Sequence, residues 1–190
     1  MRMVLLRHGR TAANDARLYC GATDVALSEA GREQLLQRRE RVRYPEVDGL
    51  LRVTSGMLRA DETLRILFGA EPELRLPGLR EMNFGRFEMH SYEQLKEDAD
   101  YQKWITDETG EVSTPGGESK KAFHRRVNEA FDGLRRDALM VCHGGVIAAR
   151  MEKLFPQEKR NLYQWQPDSG LGYVLEERGG IWSYTTIGEE

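Results

Sequence analysis

The sequence predicts an α/β fold, with helices on both faces of a largely parallel sheet. Three observations carry this reading. Short apolar runs alternate with helix-patterned segments; polar turns, several containing glycine, follow the runs; and the best periodic helix lies between two of them. Met1 to Arg7 is the first strand, an apolar run ending in a charged, Gly-containing turn. Ser28 and Glu29 read as the N-cap and first turn of a charged helix to about Arg43. Its Arg38, Arg39, Arg41 and Arg43 read as a solvated face. Gly49 to Ser55 reads as a second strand, and Met57 to Phe68 as a helix that is apolar at Leu58, Leu64, Ile66 and Leu67. Glu73 to Leu76 is a short strand closed by Pro77 and Gly78. The segment from about Ser91 to Ile105 is polar and helical, and Thr114 to Gly117 is a break. Phe123, Val127, Ala130, Phe131 and Leu134 then share one helical face. Ala138 to Cys142 is a strand and Val146 to Phe155 a helix. The end reads as a hairpin, Leu171 to Glu176 and Ile181 to Ile187, turning at Gly179-Gly180.

Bulk properties narrow the function classes. A chain of 190 residues, 39% apolar and 31% charged, fits one folded domain, taken as residues 1–190 with a small helical insertion at about 85–116. Lys plus Arg is 28 against 31 Asp plus Glu, a net charge of −3, which argues against a general nucleic-acid binder. No apolar stretch approaches a membrane span. Cys20 and Cys142 do not make a disulfide scaffold, and Cys142 reads as a small buried hydrophobe, so a cytoplasmic setting is expected. Oligomeric state is left open.

In sheets of this class, ligands sit at the carboxyl ends of the strands. Three polar sequences fall there: Arg7-His8-Gly9, Ser55 to Arg59, and His143-Gly144-Gly145. A neutral imidazole at His8 can attack an electrophile, and Arg7 and Arg59 are permanent cations. Two glycines opening a helix after His143 let backbone N–H groups approach an anion. Together these groups describe a pocket for a phosphoryl group. Glu81 is a candidate proton donor to the leaving alkoxide, then base toward water. Taken singly, each residue fits a structural or surface role, and His90 and His124 are assigned no other. The histidines lack a helical ligand spacing or a cysteine partner, so no metal site is expected.

The stretch Leu5-Leu6-Arg7-His8-Gly9-Arg10-Thr11 through Asn14 resembles the signature of the histidine phosphatase (phosphoglycerate mutase-like) superfamily. Further pieces follow in that family's order: Tyr19 to Asp24, Leu27 to Gly31, Thr54 to Ala60 with Glu62-Thr63, Glu81 to Gly85 with Phe87-Glu88, Pro115 to Ser119, and Val141 to Gly145. One Arg-His-Gly triplet is a weak signal; an ordered series from Leu5 to Gly145 is a strong one. The resemblance implies a three-layer α/β/α sandwich and no metal or other cofactor. It implies that His8 is the nucleophile, Glu81 the acid, and Arg7, Arg59 and His143 the phosphate clamp. Asn14, Cys20, Gly21 and Gly144 would complete the substrate contacts. Arg10 and Gly56 depart from the family's common Glu and Pro; the first adds a cation at the pocket mouth, the second loosens the turn before Arg59.

The implied activity is metal-independent hydrolysis of a small phosphorylated metabolite through a phosphohistidine. Length and segment order look most like the small bacterial α-ribazole phosphatase group. The alternatives are a cofactor-dependent phosphoglycerate mutase, which needs a bisphosphoglycerate primer, and a non-catalytic module that binds phospho-ligands. The short span between Gly85 and Gly116 favours hydrolysis over the mutase, and the presence of all five clamp and catalytic residues disfavours the module.

Overall fold

Strand β1 (Arg2–Arg7) has four consecutive buried residues, because both faces of the sheet around it are covered. Met3 and Leu5 point into one apolar layer, Val4 and Leu6 into the other, as the two-residue period of a strand requires. The computed structural model describes residues 1–188.

After β1 comes a one-turn helix, α1 (Ala12–Asp15), which the sequence reading did not include; a Thr11/Asn14 capping box starts it. The remaining elements are α2 (Glu29–Arg41), β2 (Leu51–Thr54), α3 (Leu58–Phe68), β3 (Leu74–Arg75), α4 (Tyr92–Leu95), α5 (Ala99–Ile105), α6 (Lys120–Gly133), β4 (Ala138–Cys142), α7 (Gly144–Leu154), α8 (Leu162–Trp165), β5 (Gly172–Arg178) and β6 (Ile181–Ile187). The strand order is β3-β2-β4-β1-β5-β6. The first four strands run parallel to one another, and the hairpin β5–β6 adds antiparallel at the β1 side. Helices α2 and α3 cover one face; α6 and α7, with Trp165 and the aromatic residues of α5, cover the other. The predicted α/β sandwich with a mostly parallel sheet is the observed one.

Four readings need correction. Arg38 is buried and donates to the Ser169 carbonyl, so the arginine cluster on α2 is not wholly solvated. The polar segment 91–105 is two short helices rather than one, each with its own N-cap, Ser91 and Asp98. On α3 the buried face is Arg59, Ala60, Asp61, Thr63, Leu64 and Leu67, while Leu58 is exposed. Helix α7 starts at Gly144, two residues early, because His143 is its extended N-cap residue.

Register sets the level of the site. Arg7 pairs with Cys142 and Thr54 with Val141, so His8, Ser55 and His143 leave the carboxyl edge of three adjacent strands together. No helix among the described residues is long and apolar enough to cross a membrane.

Candidate active site

His8 is buried just past β1, its backbone N–H bonded to the Cys142 carbonyl at 2.9 Å. Its Nδ1 lies 2.6 Å from the Gly9 carbonyl oxygen. A carbonyl can only accept, so Nδ1 carries the proton and Nε2 presents a bare lone pair. Burial, then the Arg59 and Arg7 charges, hold the imidazole well below its ordinary pKa, outweighing the opposite pull of the Gly9 bond. Gly9 packs so closely on α2 that a Cβ would sit 2.6 Å from Leu35 Cδ1. Its N–H donates to Thr63 Oγ1 (2.8 Å), whose own hydroxyl donates to the Arg59 carbonyl (2.7 Å). The loop bearing His8 is thus tied to the helix that carries Arg59.

His143 faces His8 edge-on, with ring centroids 5.0 Å apart. It is fully buried, with Nε2 2.9 Å from Ser55 Oγ. Its Nδ1 and the Nε of Arg7 are buried without a hydrogen-bond partner among the described residues. Buried polar groups are normally paired, so these two are the unsatisfied polar atoms of the cluster. Burial, and then His8 and the arginines, also hold His143 well below the ordinary histidine range.

Arg59, almost fully buried, donates to the Thr23 carbonyl (3.0 Å) and the Gly21 carbonyl (2.9 Å). Burial lowers its pKa, and Cys20 and Glu81 partly restore it, but a guanidinium stays charged. Held by carbonyls rather than by a carboxylate, its positive charge is left for a ligand. Arg7 donates to the Pro167 carbonyl (2.9 Å) in the loop after α8, a contact that carries no local sequence signal.

Glu81 accepts from its neighbour Met82 N (2.9 Å) and, across the site, from Gly145 N (2.9 Å) in the first turn of α7. A Cβ at Gly145 would lie 2.4 Å from Glu81 Oε1, so a larger residue there would push the carboxylate aside. Arg126 braces the loop bearing Glu81 by donating to the carbonyls of Gly78, Arg80 and Glu81, and pairs with Glu118, which in turn accepts from Asn83 N. The roles of Ser55, Thr63, Glu88 and Arg126 were not read from sequence. Ser55, Thr63 and Glu88 do lie inside the motif stretches.

Asn14 spends its carboxamide oxygen on the Thr11 N–H (3.0 Å) and hydroxyl (3.1 Å), which leaves its NH2 to meet an anion. Cys20 is half-buried, its thiol 3.6 Å from the Thr23 carbonyl; burial raises its pKa while Arg59 opposes the rise. Gly21 is buried against the Met82 carbonyl, where no Cβ fits. Gly144 faces the Gln166 side chain. Arg10 forms an ion pair with Asp15, so its charge is already matched. Gly56 sits at φ +76°, a conformation proline cannot adopt, so glycine suits this turn rather than loosening it. His90 is exposed and His124 packs beside Glu152 between α6 and α7, both away from this cluster. Among the described residues no group of three His, Cys, Asp or Glu side chains could hold a metal ion.

Comparison with known proteins identifies the family. The adenosylcobalamin/α-ribazole phosphatase of Salmonella typhimurium is 34% identical over 185 residues, spanning 93% of this chain and 90% of that protein. A protein of Erwinia tasmaniensis named "Probable phosphoglycerate mutase GpmB" is 29% identical over 202 residues, spanning 95% and 94%. The crystal structure of the α-ribazole phosphatase from Shigella flexneri superposes with a TM-score of 0.83 at 27% identity, covering 98% of this chain and 96% of that one. The sequence model of the histidine phosphatase superfamily (branch 1) matches residues 3–190, and the chain belongs to that superfamily.

Proposed function

We propose that this protein hydrolyses a small phosphomonoester through a phosphohistidine on His8, without a metal, and that α-ribazole 5′-phosphate is the substrate. The observation that carries the reaction is the His8–Gly9 hydrogen bond, which fixes the tautomer with Nε2 free. In the first step Nε2 forms a bond to phosphorus and the ester P–O bond breaks. Glu81 supplies the proton that the departing alkoxide takes up. Arg7, Arg59, His143 and the Asn14 amide hold the transferring oxygens, whose charge spreads through a loose transition state. Water then attacks phosphorus, the P–N bond breaks, and the water proton returns to Glu81.

The choice of substrate is supported by the names of the Salmonella and Shigella relatives. Hydrolysis rather than mutation is supported by the short 85–116 segment, which carries two small helices and which we take as an insertion within one 1–190 domain; a short cover is the form that would admit water to a phosphoenzyme. The named GpmB relatives make the mutase the second reading.

Phosphate release should be measured in excess EDTA from α-ribazole 5′-phosphate, p-nitrophenyl phosphate, 3-phosphoglycerate and sugar and nucleotide phosphates. Preferred release from α-ribazole 5′-phosphate is expected; isomerisation of phosphoglycerate only with a bisphosphoglycerate primer would favour the mutase instead. Rapid quench with labelled substrate should trap an acid-labile, base-stable phosphoenzyme in the parent and none in His8→Ala. Equal labelling of the variant would remove His8 from this role.

A further inference from the structure

Glu88 is a half-buried carboxylate outside the set of groups that meet the phosphoryl oxygens. It nonetheless collects more donors than any of them. Its Oε1 accepts from Ala22 N (2.9 Å) and Phe84 N (2.9 Å), its Oε2 from Thr23 N (3.2 Å) and the Thr23 hydroxyl (2.7 Å), and both oxygens lie near Gly21 N (3.2 and 3.1 Å). Three successive backbone N–H groups converging on one anion make a nest, a shape that elsewhere binds free anions. Here the occupant is internal. Burial pushes the Glu88 carboxyl up, but the bonds from Thr23, Phe84, Ala22 and Gly21 together bring it below its ordinary value, so it stays ionised.

The consequence lies on the other side of the same turn. With their N–H groups turned to Glu88, Gly21 and Thr23 turn their carbonyls to Arg59. The next residue, Asp24, accepts from Leu58 N (2.8 Å) at the start of α3, a helix whose own N-cap residue, Met57, makes no side-chain cap bond. The turn therefore seats both the first turn of α3 and the guanidinium it carries. Through Phe84 N, and through the Met82 carbonyl packed where a Gly21 Cβ would be, the same unit is joined to the loop bearing Glu81.

We propose that Glu88 is the positioning residue of the phosphate clamp: it holds the 21–23 turn so that two carbonyls aim Arg59, and it fixes the distance between that clamp and the proton donor. The proposal rests on Arg59 being a phosphate ligand. It predicts that the effect of Glu88 on phosphate affinity runs through Arg59 and is silent without it.

The test is a double-mutant cycle of Glu88→Gln and Arg59→Ala. Orthovanadate affinity is read by calorimetry, kcat/KM on p-nitrophenyl phosphate, and folding by thermal melting. Glutamine keeps the shape but replaces one acceptor oxygen with a donor, so it cannot fill the nest. In the Arg59 parent, Glu88→Gln should weaken vanadate binding and lower kcat/KM by about 100-fold, the scale of a clamp group displaced by about 1 Å. In the Arg59→Ala background it should change vanadate affinity by no more than about twofold, since the two residues act as one unit. Thr23→Val, which removes only the shortest Glu88 contact, should weaken vanadate binding by about tenfold or less in the same direction and settles the matter if Glu88→Gln does not fold. Equal losses in both backgrounds, or a lower melting temperature with unchanged affinity and kcat/KM, would overturn the proposal. A parent that neither binds vanadate nor releases phosphate would overturn the phosphatase reading itself, and the proposal with it.

Discussion

At the scale of single residues, the site is built from groups kept out of their solution states. His8 and His143 are both buried and both held neutral, chiefly by desolvation and then by nearby positive charge. For His8 that neutrality is the state the proposed phosphoryl transfer needs. It also carries a stability cost in acid, whose sign follows from linkage. A histidine whose folded pKa lies below its unfolded value of 6.5 binds more protons when unfolded. Its contribution is therefore complete above about pH 6.5 and is lost as pH falls from there through the folded pKa. The melting temperature should fall as pH drops below about 6.5, and His143→Gln should flatten that slope. A melting temperature independent of pH between 7 and 5 would count against neutral burial of these rings.

At the scale of elements, α7 shows how a helix start can serve chemistry at the expense of its own stability. Glycine costs a helix up to about 1 kcal/mol relative to alanine. Two glycines stand at the first two positions of α7, and Gly145 is the one that gives room to the Glu81 carboxylate. Gly145→Ala would displace a flexible side-chain end rather than backbone. The variant should keep or slightly raise its melting temperature while losing up to about 100-fold in kcat on an alkyl phosphate. The loss should be much smaller on p-nitrophenyl phosphate, whose leaving group departs without a proton. Equal loss on both substrates would argue that the glycine serves the phosphate and not the acid.

At the scale of the whole molecule, the loop from α8 to β5 closes the site from the far end of the chain. Trp165 is fully buried, with its ring 6.2 Å from that of Phe155, 6.1 Å from Tyr173 and 5.5 Å from Tyr184. Its carbonyl accepts from the Tyr173 hydroxyl at 3.1 Å. The residues that follow reach back: Gln166 packs against Gly144, Pro167 accepts from Arg7, Ser169 accepts from Arg38, and Gly170 takes a bond from Tyr44. Trp165→Ala should cost ~3–5 kcal/mol of stability in a denaturant titration. Because it frees the loop that orients Arg7, it should also lower kcat/KM under conditions where the variant is fully folded. Unchanged kcat/KM would show that the anchoring of this loop is not transmitted to Arg7.

The sequence by itself determined the layer order, the strand ends that carry chemistry, and the five residues of the cluster. Those depend on local patterns: two-residue and 3.6-residue periods, strand-to-turn boundaries, and ordered short motifs around His8, Arg59, Glu81 and His143. Only the tertiary structure decided what each side chain has left to offer. Arg38 is buried because residues 168–170 fold back onto α2, a contact across about 130 positions that no local pattern encodes. The free Nε2 of His8, the carbonyl cradle of Arg59 and the nest around Glu88 depend on backbone groups, which are the same in every residue and whose direction is set only when distant turns meet.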